Sequence, residues 1–252
     1  MEVLVFGGTS EGRRIVEWLA GRGAVNVVAC TATAYGASLL MGGDRVTLLE
    51  GPLSPERKRG LVDTHDFACI VDATHPYALH ISDSIAELGS SSGLDVVRIV
   101  REDPPECDWT GMPDASAAAR HLARTTGNIL LTTGSKDLMA YAEALGQDVQ
   151  RLYVRVLPIS SSLALAAEAG IVPSHVIAMQ GPFSQELNVA LIHEFGIEHL
   201  VTKQSGSAGG FEEKVRAARE CGVELVVIDR PRKESGYTLE AAEALLEERY
   251  GL

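Results

Sequence analysis

The sequence predicts an α/β protein made of two doubly wound parallel sheets, each with helices on both faces. Three observations carry that reading. Apolar, β-branched runs alternate with segments of helical periodicity along nearly the whole chain. That β-α-β-α repetition implies parallel strands and crossover helices. The 252 residues accommodate one large domain or two modest ones, and the Asp103–Pro113 stretch, with three prolines and no periodicity, offers a break.

In chain order, Val3–Phe6 reads as a buried strand, followed by a helix from Glu11 to about Arg22 with Ile15, Val16 and Leu19 on one face. Val25–Thr31 and Val46–Leu49 are the next expected strands. Ser54-Pro55 supplies an N-cap and then a proline at the first helical position. A short strand at Ala68–Val71, a helix from about Ala78 to Leu88 and a strand at Val96–Val100 close the first series. The second series opens with a helix near Ala115–Arg124, strand Asn128–Leu131 and helix Leu138–Leu145. Strand Leu152–Val156 follows, then a helix over Ser161–Ala169 ended by Gly170, and strand His175–Ala178. Ser184 caps a helix reaching about Phe195. Strand His199–Thr202, helix Phe211–Cys221 ended by Gly222, strand Leu225–Ile228 and helix Leu239–Tyr250 complete the chain. The expected domains are therefore residues 1–102 and 114–252, with 103–113 as the linker.

Composition narrows the function classes. Apolar residues make up 46% and charged residues 22%, as in ordinary globular proteins. The net charge of −12 has the wrong sign for a nucleic-acid or anionic-membrane binder. The longest uncharged run, Ala24–Gly43, is broken by Asn26, Thr31, Thr33 and Ser38, so it reads as strand, turn and helix rather than a membrane span. Cys30, Cys69, Cys107 and Cys221 are scattered without a C-x-x-C pair, which fits reduced thiols rather than a metal site. A soluble, cytoplasmic protein is expected.

In open parallel sheets ligands bind beyond the carboxyl ends of the strands, so the turns there are the candidates. Gly7-Gly8-Thr9-Ser10-Glu11-Gly12 joins the first strand to the first helix. Its glycines permit a tight turn, and the helix N-terminus offers N–H groups to a pyrophosphate, although Thr9 stands where a dinucleotide loop has its second glycine. After the second strand, Thr31, Thr33 and Tyr35 replace both the acidic residue that would bond a ribose hydroxyl and the arginine that would take a 2′-phosphate. Hydroxyls can hold a phosphate, which leans the reading to NADPH with NADH as the alternative. After the fourth strand comes Asp72-Ala73-Thr74-His75-Pro76-Tyr77. Histidine exchanges protons near neutral pH, so His75 is either an acid or a cap for the next helix.

The second half repeats the pattern. Gly134, Ser135 and Lys136 follow one strand. Gln180, Gly181, Pro182, Phe183 and Ser184 follow another, and Lys203, Gln204, Ser205 and Gly206 a third. Arg230 lies after the last strand. Each turn places small residues, hydroxyls or a cation before a helix, which suits carboxylate or phosphate oxygens.

Phe6–Gly12, Asp72–Ala78, Met179–Ser184 and Val201–Gly206, in this order, resemble the precorrin-6A reductase family of cobalamin biosynthesis, over Met1 to about Pro231. The resemblance implies two Rossmann-like domains with the active site in the cleft between them. It also implies a nicotinamide cofactor and reduction of one double bond of precorrin-6A, or its cobalt form, to the 6B form. Gly7–Gly12, Thr31, Thr33, Tyr35, Asp72, Ala73, Thr74 and Pro76 would then face the cofactor. Tyr77, Gly134–Lys136, Gln180–Ser184, Lys203, Ser205, Gly206 and Arg230 would face a carboxylated corrin-type substrate. His75 and Lys203 are the candidate catalytic residues, with water or a substrate carboxyl as competing proton donors; no metal is required. Two other classes compete: a different NAD(P)-dependent reductase, and a non-catalytic dinucleotide sensor. The Tyr-x-x-x-Lys of short-chain reductases is missing, because Ile81 follows Tyr77 and Leu145 follows Tyr141 at that spacing.

Overall fold

The chain divides into two α/β units: Met1–Glu102 together with Lys233–Leu252, and Asp103–Arg232. The computed structural model describes residues 1–40, 43–101, 108–205, 209–232 and 235–251.

In the first unit, β1 (Glu2–Phe6), β2 (Asn26–Thr31), β3 (Val46–Glu50), β4 (Phe67–Asp72) and β5 (Val96–Arg98) form one sheet in the order β3-β2-β1-β4-β5. Every pairing is parallel, with Val5 opposite Ala29 on one side and Val71 on the other. Successive side chains therefore serve opposite faces. Val3, Val5, Val27, Ala29 and Val71 pack with Ile15, Val16 and Leu19 of α1 (Ser10–Ala20). Leu4, Phe6, Val28 and Ile70 meet Leu61 of α3 (Pro55–Thr64) and Ile85 and Leu88 of α4 (Leu79–Ser92). Both faces are covered, which is why Val3–Phe6, Val27–Cys30 and Phe67–Val71 are apolar at consecutive positions rather than at alternate ones. A short α2 (Ala34–Ser38) follows β2. Cys30 and Cys69 are free thiols in this core, pushed by burial up to about 12 and about 11, respectively.

The second unit carries a six-stranded parallel sheet in the order β6-β11-β10-β7-β8-β9. Its strands are β6 (Thr110–Met112), β7 (Asn128–Leu131), β8 (Leu152–Val156), β9 (Val176–Ala178), β10 (Ile197–Lys203) and β11 (Glu224–Ile228). Ile192 of α8 (Gln185–Glu194) and Phe211, Ala217 and Ala218 of α9 (Phe211–Cys221) cover one face. Further buried apolar residues come from α5 (Ala115–Leu122) and α6 (Leu138–Leu145), namely Ala118, Leu122, Leu138 and Tyr141; α7 (Ser160–Glu168) follows β8. No described helix is long and apolar enough to cross a membrane.

Two expectations about domain limits are corrected. The last helix, α10 (Leu239–Tyr250), belongs to the first unit and not to a domain spanning 114–252. Its Leu239, Ala242 and Leu246, spaced three and four apart, enter the core beside Val3, Ile15 and Leu19. Arg14 of α1 pairs with Glu240, and Arg22, just past the end of α1, pairs with Glu247. Just before it, Tyr237 pairs in parallel with Ile99; its N–H donates to the Arg98 carbonyl at 2.9 Å, and Val100 N–H donates back at 2.8 Å. The proposed linker is also only partly one: Thr110–Met112 is β6, paired with Val226–Ile228 at the sheet edge. Residues 102–107 lie outside the described residues.

At the amino-terminal end of the second sheet, the Glu224 carboxylate accepts from Thr110 Oγ1 (2.8 Å) and bonds His121 Nε2 (2.9 Å) and His199 Nδ1 (2.7 Å). One side chain thus ties β6, α5, β10 and β11. Burial would raise this carboxyl; the three bonds and the nearby His121 outweigh it and hold the group below the ordinary carboxylate range.

Leu246→Ala should cost about 2–5 kcal/mol, read by denaturant unfolding. The lost hydrogen-exchange protection should fall on β1 and α1 amides and leave β10 unaffected. For Glu224 the sign follows from its lowered folded value. Its stabilisation is present above the unfolded value of about 4.3 and is lost as pH falls through the folded one. Glu224→Gln should flatten the acid limb of the stability profile and cost about 1 kcal/mol near neutrality, since the group is partly solvent-screened.

Candidate functional site

In the first unit the chain leaves β1 toward β2 and β3 on one side, while β4 and β5 lie on the other. The order therefore reverses between β1 and β4, where their carboxyl-end loops form the crevice in which such sheets bind ligands. Those two loops are bonded to each other. Ala73 N–H donates to the Phe6 carbonyl at 2.9 Å, and Thr9 Oγ1 donates to the Ala73 carbonyl at 2.8 Å. The same Thr9 oxygen accepts Gly12 N–H at 3.0 Å and so caps α1. The threonine in place of a glycine is the joint between the loops.

Gly8 has φ +117, a region that disfavours every other residue, and open space where a Cβ would stand. A Cβ on Gly12 would lie 3.0 Å from the Gly7 Cα, so the turn closes tightly. Gly8 and Ser10 N–H find no acceptor among the described residues, leaving donors at the start of a helix. Across the edge, Thr33 caps α2 and accepts Gly36 N–H, Thr31 Oγ1 donates to the Thr33 carbonyl, and the Tyr35 hydroxyl is buried without a partner among the described residues. An orphaned donor beside the β2 terminus, with open glycine and helix-end N–H groups, fits a dinucleotide.

Several predicted residues turn out to be tied into the frame. The Glu11 carboxylate is gripped by Arg101 through two 2.7 Å bonds. Burial would raise it, and Arg101 overrides that to hold it below its ordinary value. Asp72, 2% exposed, accepts Thr74 N–H, Thr74 Oγ1 and Arg98 Nη1 (2.8 Å), which leaves its carboxylate facing the protein. His75 Nδ1 accepts Tyr77 N–H at 3.3 Å, so a neutral His75 carries its proton on Nε2. Pro76 is buried behind this turn.

In the second unit the order reverses between β7 and β10. Thr132 N–H and Oγ1 both donate to the Val201 carbonyl, at 2.9 and 2.7 Å, sealing the strand ends. Lys203 Nζ lies 2.9 Å from Asp137 Oδ2, which joins the two loops. Ser135 Oγ donates to Ser162 Oγ, Arg230 Nε donates to the Gln204 carbonyl at 3.1 Å, and Gly134 takes φ +84. Thr133 Oγ1 is buried without a partner among the described residues. The Gln180–Ser184 turn reaches the same edge, for the Phe183 backbone would lie 3.7 Å from a Cβ on Gly210.

Lys203 is thus tied to Asp137, close in sequence to Gly134 and Ser135, and Arg230 to Gln204 beside Ser205, with Phe183 against Gly210. Lys136 and Gln180 are exposed. Gly206 lies outside the described residues. Sequence reasoning missed Arg98, Arg101, Asp137 and Arg155. The first two sit at and just past the carboxyl end of β5, where the rule applied to the other strands would have found them. Arg155 is a charge inside an apolar strand, itself a signal.

The profile of the precorrin-6x reductase CbiJ/CobK family matches residues 2–247. The chain belongs to this family. It is 33% identical, over 92% of its length and 77% of the relative's, to a cobalt-precorrin-6A reductase of Methanothermobacter thermautotrophicus. A precorrin-6A reductase of Rhodococcus erythropolis is 30% identical over 91% of this chain and 89% of its own. Among solved structures, CobK precorrin-6A reductase superposes with a TM-score of 0.79 at 23% identity, covering 98% and 96% of the two chains. The two parallel sheets described above are therefore the fold of the CbiJ/CobK family.

Thr9→Val removes both the cap and the bond to Ala73 while keeping the shape. It should cost about 1–2 kcal/mol in thermal or urea unfolding. Nicotinamide binding, measured by titration, should weaken because the two loops are no longer joined.

Proposed function

We propose that this chain reduces one ring double bond of precorrin-6A, metal-free or cobalt-bound, to the 6B form, using NADPH held at the β1–α1 turn. The observation that carries the reading is the reductase-family match across residues 2–247. The Gly8 and Ser10 N–H groups support a pyrophosphate at the start of α1, where the helix end favours negative charge. Thr31, Thr33 and Tyr35 supply hydroxyls for the adenosine end, and their neutrality suits a 2′-phosphate better than an acidic residue would. NADH is the alternative. When bound, the reduced nicotinamide supplies a hydride to one carbon of the macrocycle.

The chain itself must orient the ring and deliver a proton to the neighbouring carbon. His75 is the proposed donor: as the imidazolium it would release a proton from Nε2, and the neutral ring left behind is the form whose Nδ1 accepts the Tyr77 N–H. In the second unit, Ser135, Lys136, Gln180, Ser184, Lys203 and Arg230 are proposed to hold the carboxylates of the substrate. Local cations at one edge counter the net charge of −12. Lys203 enters this role as half of a pair with Asp137, which fixes its position and tempers its charge.

The test is anaerobic incubation of the full chain with precorrin-6A or its cobalt form and each nicotinamide, followed by absorbance. Turnover with NADPH is expected; no spectral change with any combination would end the reading. In single-turnover experiments at saturating cofactor, His75→Phe should slow reduction by roughly 10²–10⁴-fold and remove a pH inflection. A drop below about tenfold with an unchanged profile would assign the proton to solvent.

A further inference from the structure

Arg155 is a buried charge that the packing does not require. It is the fourth residue of β8 and is only 5% exposed. Its Nη1 donates to Asn188 Oδ1 at 2.9 Å, and the Phe183 ring lies against its guanidinium, 4.1 Å from the ring centroid. Both partners are neutral. Among the described residues no carboxylate pairs with it, and Nε and Nη2 donate to no protein acceptor. Burial alone pulls the group down to about 10, so it stays a cation near neutral pH. A buried, uncompensated cation costs stability, and an apolar side chain of similar volume would pack there at no such cost. Local rules broken without compensation mark functional positions.

Its surroundings point to a ligand. The last paired position between β7 and β8 is Leu131 opposite Val154; one step further lie Thr132 and Arg155. Arg155 therefore stands at the carboxyl edge, one strand from the reversal between β7 and β10. Asn188 is fully buried and donates through Nδ2 to the Ser184 carbonyl at 2.7 Å, which fixes the turn leading into α8. A Cβ on Gly181 would come within 2.9 Å of the Phe183 ring, so a bare glycine lets that ring lie close under the turn. The guanidinium is thus used on its face by Phe183 and at Nη1 by Asn188. What remains is the Nε–Nη2 edge, the fork that takes both oxygens of a carboxylate.

We propose that Arg155 recognises an oxyanion at the edge of the second unit, and that this oxyanion is a carboxylate on the rim of the macrocycle. The assignment rests on the function proposed above and adds to it a specificity residue. Phe183 and Asn188 act as positioning residues that hold the fork in one orientation before the substrate arrives.

The experiment uses the full chain and compares Arg155→Met and Arg155→Lys with the wild type. Binding of precorrin-6A and its cobalt form is titrated by absorbance, nicotinamide binding is titrated separately, and thermal unfolding is recorded. Arg155→Met should weaken macrocycle binding by about 10–100-fold, as loss of a bidentate charge-assisted contact does. Nicotinamide affinity should stay within about twofold and the Tm should hold or rise, since a buried charge is gone. Arg155→Lys should recover little, because an ammonium lacks the planar fork.

Unchanged macrocycle binding with a lowered Tm would make Arg155 structural and overturn the proposal. Loss of nicotinamide affinity instead would place a cofactor phosphate on the fork and overturn the carboxylate assignment. Macrocycle binding is read without turnover, so a wild type that binds but does not reduce would refute the proposed reaction while leaving the Arg155 result standing.

Discussion

Parallel pairing is the constraint on which the rest of this molecule depends. A strand that runs parallel to its predecessor is reached only by crossing back over one face of the sheet, and that crossing is made by a helix. Both faces become covered, the central strands are apolar on both sides over most of their length, and all carboxyl ends of a sheet open along one edge. The polar turns have nowhere else to go. Gly7–Gly12 and Asp72–Tyr77 meet because β1 lies beside β4, and Thr132–Asp137 meets Lys203–Ser205 because β7 lies beside β10. In both sheets the neighbours across the reversal are far apart in the chain.

The charges at these edges are managed in pairs. Glu11 with Arg101, Asp72 with Arg98 and Lys203 with Asp137 each tie together chain segments that meet at the carboxyl ends of different strands. Such pairs fix backbone geometry while leaving little net field, which matters in a chain of net charge −12 that is proposed to bind anions. On that proposal, backbone N–H groups and hydroxyls would carry more of the recognition than composition suggests. Arg155 departs from this pattern, because its partners are an amide and an aromatic ring.

The CbiJ/CobK family match and the chemistry of the carboxyl-end turns rest on different grounds. The match spans both units. The geometry is independent of it: an open glycine, helix-end donors and the buried hydroxyl of Tyr35 in the first unit, and the buried hydroxyl of Thr133 in the second, lie at carboxyl-end turns or in the short helix just after one. Buried polar groups without partners are few in folded proteins, so orphans at these edges are informative.

The sequence by itself determined most of the element order, the two sheets, the glycine-rich turn and its place before α1, because each is written in local periodicity, capping residues and backbone freedom; β6, three residues inside the expected linker, carries no such signal. It could not decide which sheet the last helix would cover. The Leu239, Ala242 and Leu246 stripe states only that one face is apolar, and any uncovered sheet face would satisfy it. Tertiary structure chose the first unit, through the fit against α1 and the pairing of Tyr237 with Ile99. Partners of charges were hidden for a related reason. Glu11 and Arg101 are 90 residues apart and Lys203 and Asp137 are 66 apart, so their meeting depends on strand order and register rather than on spacing. Arg155 was legible as a charge in an apolar strand, but that it would be enclosed without a counter-ion was decided only when α8 and its turn folded over it.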